Sequence, residues 1–390
     1  MSRDLRLGLS LSLSGKYAVM GRQAEAAIQR FVADANAGDG IVVDGSRYRL
    51  ALECHDDHGR ADRAQEIYRE LCFDRRCDLL FGPYSSGLTR AILPISDQAG
   101  MVLVNHGGAD DGLHDRGSRM VVSVLTPASE YLVRFVELLA TLKFWRKRLA
   151  IAVAPTPFAD AIASGMEQAI AARRIWLRGV RMRLKYRGRF DPDYSPVTLS
   201  RALRRNRINA FVSVGSYEYD LAMMRVVIAP PHSIPVLACV AAGVTRFRDD
   251  LGDDAEGIVG PSQWEPEFDI RPAIGPSPIE FAHWMGTAAS DYPAAQIYAA
   301  GLLTAAALRA SGSLDQIALR AAFSDLQTST FFGDFAIDRV TGRQIGHQML
   351  LVQWHEGRKQ IISTEGAADS GTLAFPNRKS WMLLPPRHSG

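Results

Sequence analysis

Two rhythms of apolar residues alternate along the N-terminal part of the chain. Leu5–Leu11 reads as a strand, and Gly21–Asn36 places Ala24, Ala27, Ile28, Phe31, Val32 and Ala35 at helical spacing. Asn36-Ala37-Gly38-Asp39-Gly40 closes that helix, because glycine takes the left-handed conformation a helix terminus needs. The pattern continues as strand Tyr48–Cys54, helix Ala61–Leu71, strand Asp78–Phe81, helix Ser86–Ala99 and strand Met101–Val104. After Pro127 it restarts with helix Tyr131–Leu142, strand Arg148–Ala154, helix Ala159–Ala172 and strand Val180–Lys185. Helix Ser200–Asn206, strand Ala210–Val214, helix Tyr219–Val227 and strand Pro235–Val240 complete it. Such alternation predicts an α/β fold of two doubly wound, Rossmann-like units in tandem, each a parallel sheet with helices on both faces.

Gly260–Pro278 holds Pro261, Pro266, Pro272, Pro276 and Pro278, so it reads as a connector. A long helix, Ala294–Ala310, and a short one, Asp315–Ser324, follow. Phe331–Ile337 and Gln348–Trp354 predict two antiparallel strands joined by Asp338-Arg339-Val340-Thr341-Gly342, and the tail from Ser363 predicts a surface loop.

A length of 390 residues gives two or three domains, and 47% hydrophobic with 22% charged residues excludes wholesale disorder. A net charge of +3 excludes a nucleic-acid-type polycation, and four cysteines exclude a disulfide scaffold. Charge is uneven: residues 142–207 carry 16 Lys+Arg against 4 Asp+Glu, which reads as a solvated basic surface or a dock for an anionic partner. Sparse aromatic interleaving there argues against nucleic acid. The longest nearly apolar run, Ala294–Leu308, is shorter than the ~20 residues of a membrane helix, so no membrane insertion is expected. No leader pattern precedes Leu5. The expected compartment is the cytoplasm if Met1 is the native start and the periplasm if a leader has been removed.

Enzymatic signatures are absent. Ser14-Gly15-Lys16-Tyr17 is no phosphate loop, and Gly82-Pro83-Tyr84-Ser85-Ser86-Gly87 misses the nucleophile elbow by register. The chain is therefore not expected to be an enzyme, and no cofactor or metal is expected. Cys54-His55-Asp56-Asp57-His58 fits no standard metal spacing and reads more simply as a polar loop at a strand end. Cys54 or Cys72 bridging Cys77 and three reduced thiols are equally good readings.

Strand ends instead suggest ligand capture, since open α/β sheets bind ligands beyond their carboxyl ends. Tyr84, Ser85 and Ser86 lead from one strand into a helix, with Ser86 expected at its N-cap. A hydroxyl, free N–H groups and the positive helix end suit a carboxylate, although a plain cap has the same look. His106, Gly107, Gly108 and Ala109 follow the next strand, where the glycines either expose backbone or make a tight turn. Phe158, Tyr217 and Trp264 follow later strands and together suggest an apolar wall.

The chain resembles the type I periplasmic binding proteins, in the leucine/isoleucine/valine-binding branch that serves ABC importers. The resemblance rests on Leu11-Ser12-Leu13-Ser14-Gly15-Lys16-Tyr17-Ala18-Val19-Met20-Gly21, Asn36–Gly40, Asp56-Asp57 and Phe81–Ser86, in that order, up to Asp115-Arg116-Gly117. It implies two lobes joined by a three-strand hinge near Leu125, Pro261 and Thr330: residues 1–124 and 262–330 in one lobe, 125–261 and 331–390 in the other. It implies that Ser86 and backbone around Gly107, Gly108 and Ala109 hold a ligand carboxylate, with Phe158 and Tyr217 on the far side. It also implies ABC permease subunits as partners and a monomer or weak dimer. A cytoplasmic ligand sensor of the amide-binding type is the alternative with the same fold. Val240 stands where the family's amino-acid binders place an acidic residue, Ala109 where a threonine is expected, and Met20 where an aromatic is expected. An organic acid, an aromatic carboxylate or an amide therefore fits better than a branched-chain amino acid, unless Glu218 or Asp220 supplies the missing charge.

Overall fold

Leu5, Leu7, Leu9 and Leu11 are all fully buried, which makes β1 (Arg3–Leu11) an inner strand. In this computed structural model the described residues are 3–38, 40–115, 117–141, 147–176, 182–189, 196–230, 232, 234–286 and 291–362. The chain divides into two units: unit 1 is residues 1–127 and 263–348, and unit 2 is 128–262 and 349–390.

In unit 1, β1 leads to α1 (Ala18–Ala37), β2 (Ile41–Val43), β3 (Ser46–Asp56), α2 (Ala61–Arg69), β4 (Leu79–Phe81), α3 (Ser86–Ala99), β5 (Leu103–Asn105) and β6 (Val121–Ser123). Its six-stranded sheet runs β2-β3-β1-β4-β5-β6, parallel except at β2. Ile67, Tyr68, Leu71, Leu80, Ile92 and Leu103 are among the residues packing α2 and α3 onto one face.

Unit 2 continues with α4 (Val133–Thr141), β7 (Lys147–Val153), α5 (Pro157–Trp176), β8 (Met182–Arg189), α6 (Pro196–Arg205), β9 (Ala210–Val214), α7 (Tyr217–Ile228), β10 (Val236–Cys239), α8 (Arg246–Leu251) and β11 (Val259–Ser262). The chain returns to unit 1 for α9 (Pro278–Met285), α10 (Tyr292–Ser311), α11 (Gln316–Asp325), β12 (Thr328–Thr330) and β13 (Gly333–Phe335), then to unit 2 for β14 (Leu350–His355) and β15 (Arg358–Ile361). The seven-stranded sheet of unit 2 runs β15-β14-β11-β10-β9-β7-β8. Its antiparallel members are β14 and β15.

Three expectations change. The strands expected at Phe331–Ile337 and Gln348–Trp354 do not pair with each other: β13 pairs with β12, and β14 pairs with β11 and β15. Residues 331–348, expected with the second lobe, belong to unit 1. They are held there by Ser123 N–H donating to Gly342 O (2.9 Å), the Arg343–Asp111 ion pair (2.9 Å) and the Gln344 amide donating to Val124 O (3.0 Å). The proline-rich connector begins with a strand, β11. Pro261 is tolerated because β11 meets β10 only at Val259, so no N–H is needed on that side further along.

The tail from Ser363 lies outside the described residues, as do 142–146, 177–181 and 190–195 of the basic segment. Within the remainder of that segment, Arg187 pairs with Asp160 (3.2 Å) and Glu167 (2.9 Å). Among the described residues, no single helix is long and apolar enough to cross a membrane. α10 is apolar because nearly all of it is buried, with α1 and α11 packed along it.

Candidate functional site

The sheet of unit 1 brings Tyr84, Ser85, Ser86, His106, Gly107, Gly108 and Ala109 together at the carboxyl ends of β4 and β5. Ser85, not Ser86, caps α3: its Oγ accepts from Leu88 N–H at 3.3 Å. The cap falls one residue early because Ser85 holds φ 121° and ψ 150°, a conformation outside the helix that strains any residue with a Cβ. Ser86 then sits in the first turn, and its Oγ accepts from the N–H groups of both Ala109 and Asp110 at 3.1 Å. A hydroxyl that has accepted twice keeps its proton to donate. The first-turn N–H groups of Ser86 and Gly87 have no acceptor within the helix, so donors and the positive helix end lie side by side.

The glycines answer to packing. A Cβ on Gly107 would fall 2.6 Å from Pro83 O and 2.7 Å from Tyr84 Cα, and one on Gly108 would fall 2.7 Å from Thr89 Oγ1. The loop after β5 is thus pressed against the loop after β4. Its donors are engaged within the protein: Gly107 and Gly108 N–H reach Asn105 Oδ1 at 3.3 and 2.8 Å, while Ala109 N–H serves Ser86. Asp110 ion-pairs with Arg90 of α3 and fixes the loop from its other end. His106 is fully buried, with no hydrogen-bond partner for either ring nitrogen among the described residues. Burial lowers its pKa to about 4, so the imidazole is neutral at neutral pH. Tyr84 meets Tyr17 edge-on at 6.2 Å and hydrogen-bonds Tyr292, and burial pushes its phenol up to about 12.

Trp264 is not part of this group. It is buried in an aromatic cluster with Phe281 (5.5 Å) and Phe331 (6.0 Å), so it fills the core of unit 1 and is no ligand wall.

In unit 2, Phe158, Tyr217 and Val240 follow β7, β9 and β10. Phe158 meets Tyr131 edge-on at 5.5 Å. The Tyr217 hydroxyl donates to Asp250 at 2.7 Å, and the Arg246 guanidinium lies 4.7 Å from its ring centroid. Burial, and then the bond to Asp250, raises its pKa. Val240 is half-buried at the start of a turn. Asp220 does not supply the charge missing there. It is fully buried, accepting from Ser213 Oγ (2.7 Å) and Ala241 N–H (3.0 Å), and so ties the end of β9 to the turn after β10. Glu218 is exposed.

Sequence reasoning missed this use of buried aspartates. Unit 1 has a counterpart in Asp57, which accepts from Ser10 Oγ (2.7 Å), Ser12 Oγ (2.6 Å) and Gly59 N–H (2.9 Å). The serines two apart at the end of β1, Ser10 in the strand and Ser12 just beyond it, were the available signal. Asp56 meanwhile accepts from Leu13 and His58 N–H, so the Cys54–His58 stretch spends its two carboxylates on loop N–H groups and serine hydroxyls. Among the described residues, no group of three or more His, Cys, Asp or Glu is placed to hold a metal. Cys54, Cys72 and Cys77 are free thiols, pushed by burial up to about 12, 11 and 12.

Comparison with known proteins places this geometry. The structure of a type 1 periplasmic binding protein from Bordetella pertussis Tohama I superposes with a TM-score of 0.76 at 18% identity, over 92% of this chain and 100% of that one. The substrate-binding protein LivJ of Streptococcus pneumoniae, solved with isoleucine, gives 0.74 at 16% identity over 93% and 100%. A solute-binding protein of an ABC transporter from Rhodopseudomonas palustris BisB5, solved with 3,4-dihydroxybenzoic acid, gives 0.71 at 18% over 91% and 95%. The family model described as periplasmic binding protein matches residues 4–199 and 237–359, and the chain belongs to that family.

Proposed function

We propose that the chain captures a small solute bearing a carboxylate or amide and delivers it to the permease of an ABC importer, without catalysis. The observation that carries this reading is the Ser86 hydroxyl, which is filled as an acceptor by Ala109 and Asp110 and left to donate at the start of α3. Donor and helix end favour a carboxylate oxygen or an amide carbonyl, each an acceptor. The ligands of the Streptococcus and Rhodopseudomonas proteins, isoleucine and 3,4-dihydroxybenzoic acid, share a carboxylate, which supports the choice. In this reading the solute docks on unit 1, with its acceptor oxygen at the start of α3.

A thermal-shift screen of small acids, amides and amino acids, followed by calorimetry of the hits, tests it. Ser86→Ala is expected to weaken an acid about tenfold or more, the range of a hydrogen bond to a charged group. Stabilisation by nucleotides or sugars alone, or an unaltered affinity in Ser86→Ala, would overturn the reading.

A further inference from the structure

The turn between α2 and β4 carries two cysteines to which the binding function gives no role. α2 runs on into a wide π-type turn, Glu70–Asp74, which holds Cys72. Cys77 follows just beyond it, 7% exposed, with its Sγ facing β1, where a Cβ on Gly8 would fall 2.7 Å away. Cys77 N–H donates to Leu71 O at 3.0 Å. Cys72 Cα belongs to the same peptide group as that oxygen, so the two cysteine Cα atoms stand no more than about 7 Å apart. A disulfide spans Cα separations of about 4.4–6.8 Å. Cys72 packs against the buried cluster that includes Cys77, and a charge on Cys72 is felt at Cys77. The backbone between them is held in place. Arg75 N–H donates to Glu70 O (2.8 Å), the Arg6 guanidinium donates to Arg75 O (2.9 Å), and Arg75 pairs with Glu53 (3.3 Å).

Cys54 is set apart from this pair by the pleat. Successive strand residues face opposite sides of a sheet. Gly8 meets Cys77 and Leu71 on the side of α2, whereas Cys54 lies beside Leu9 in the pairing of β1 with β3 and so faces the other side. There the charge that bears on it most is Glu25 of α1. We infer that Cys72 and Cys77 are a dithiol pair that oxidises to an intramolecular disulfide in the folded chain. The oxidant is a low-molecular-weight disulfide such as oxidised glutathione. The thiolate of half-buried Cys72 attacks one of its sulfurs and displaces a glutathione thiolate, and the Cys77 thiolate then attacks the Cys72 sulfur and displaces the other. Two protein thiols are oxidised, one glutathione disulfide is reduced, and the two protons pass to the released thiolates. Burial holds Cys72 and Cys77 up to about 11 and 12, so the exchange quickens as pH rises toward those values. The product staples the turn at the base of β4, the strand that leads to Tyr84, Ser85 and Ser86.

Peptide mapping of the intact chain tests this. The folded protein is incubated with oxidised glutathione at about pH 8.5, its remaining thiols are alkylated, and it is unfolded and cut with trypsin. Cleavage after Arg75 and Arg76 puts the two cysteines on separate peptides, Glu70–Arg75 and Cys77–Arg90. These are expected to appear joined, lighter than their sum by two hydrogens. Cys54→Ser retains the link, and Cys72→Ser abolishes it. The bridged chain is expected to unfold at higher urea than the reduced chain, a shift that dithiothreitol reverses. Glutathione adducts without a link, a bridge from either cysteine to Cys54, or a link that forms only in urea overturns the inference and leaves the binding function untouched.

Discussion

The buried titratable groups near the strand ends differ between the two units. In unit 1 they include histidines. His106 follows β5, and His347 hydrogen-bonds Thr126 Oγ1 and, at 2.9 Å, Phe332 O. Burial lowers both to about 4 from 6.5. In unit 2 the group shifted by burial is the carboxylate of Asp220, raised from 3.8 to about 7 against the pull of its hydrogen bonds. One cause, the cost of charge away from water, acts in both places and favours the neutral form. Its consequences for pH are opposite. Between about 4 and 6.5 the folded histidines bind fewer protons than the unfolded chain does, so unit 1 gains stability as pH rises. Between 3.8 and about 7 folded Asp220 binds more protons than the unfolded chain, so unit 2 loses stability as pH rises.

Asp220 variants give the largest expected effect. Asp220→Leu leaves the Ser213 hydroxyl and Ala241 N–H buried without their acceptor, at a cost of about 3 kcal/mol in urea denaturation at pH 5. Asp220→Asn retains an acceptor and cannot ionise. It should lack the wild-type decline between pH 4 and 7, which amounts to about 4 kcal/mol at most. Parallel curves for Asp220→Asn and wild type would break the contrast between the units.

His347→Gln sharpens the other half. The variant is expected to lose about 1–2 kcal/mol at pH 7 through its two disrupted hydrogen bonds. The deficit should shrink toward pH 4, where the wild type must charge a buried imidazole. A deficit constant with pH would remove His347 from the account. Arg339→Ala serves as the control. Its ion pair with Asp325 joins side chains 74% and 65% exposed, so the expected change is within about 0.5 kcal/mol at every pH.

The α/β alternation was legible because strands buried on both faces leave continuous apolar runs and helices leave a 3.6-residue stripe. Ser86 and the loop after β5 were legible for a similar reason: strand ends position ligand groups in open sheets. What could not be read was which way a side chain turns. Ser85 and Ser86 are the same residue, and only the positive φ of Ser85 decides which one caps. Asp220 stands two residues from exposed Glu218, and its inward turn depends on Ser213 and Ala241, at the ends of other elements. Trp264 lies in the proline-rich stretch read as a connector, yet Phe281 and Phe331 arrive from later elements to enclose it. Residues 331–348 carry a strand-like pattern, but their allegiance to unit 1 is set by contacts with residues 111–126.

Neither unit is continuous in the chain, and this orders events on the ribosome. The inner face of α1 is covered by α10, where Gly301 lies so close to Phe31 that a Cβ would fall 2.5 Å from the ring. After the first segment of unit 1 has emerged, residues 128–262 are synthesised before its second segment begins. At about 5–20 residues per second that is a delay on the order of ten seconds. Until then the face of α1 that holds Phe31 lacks the helix that covers it in the folded chain.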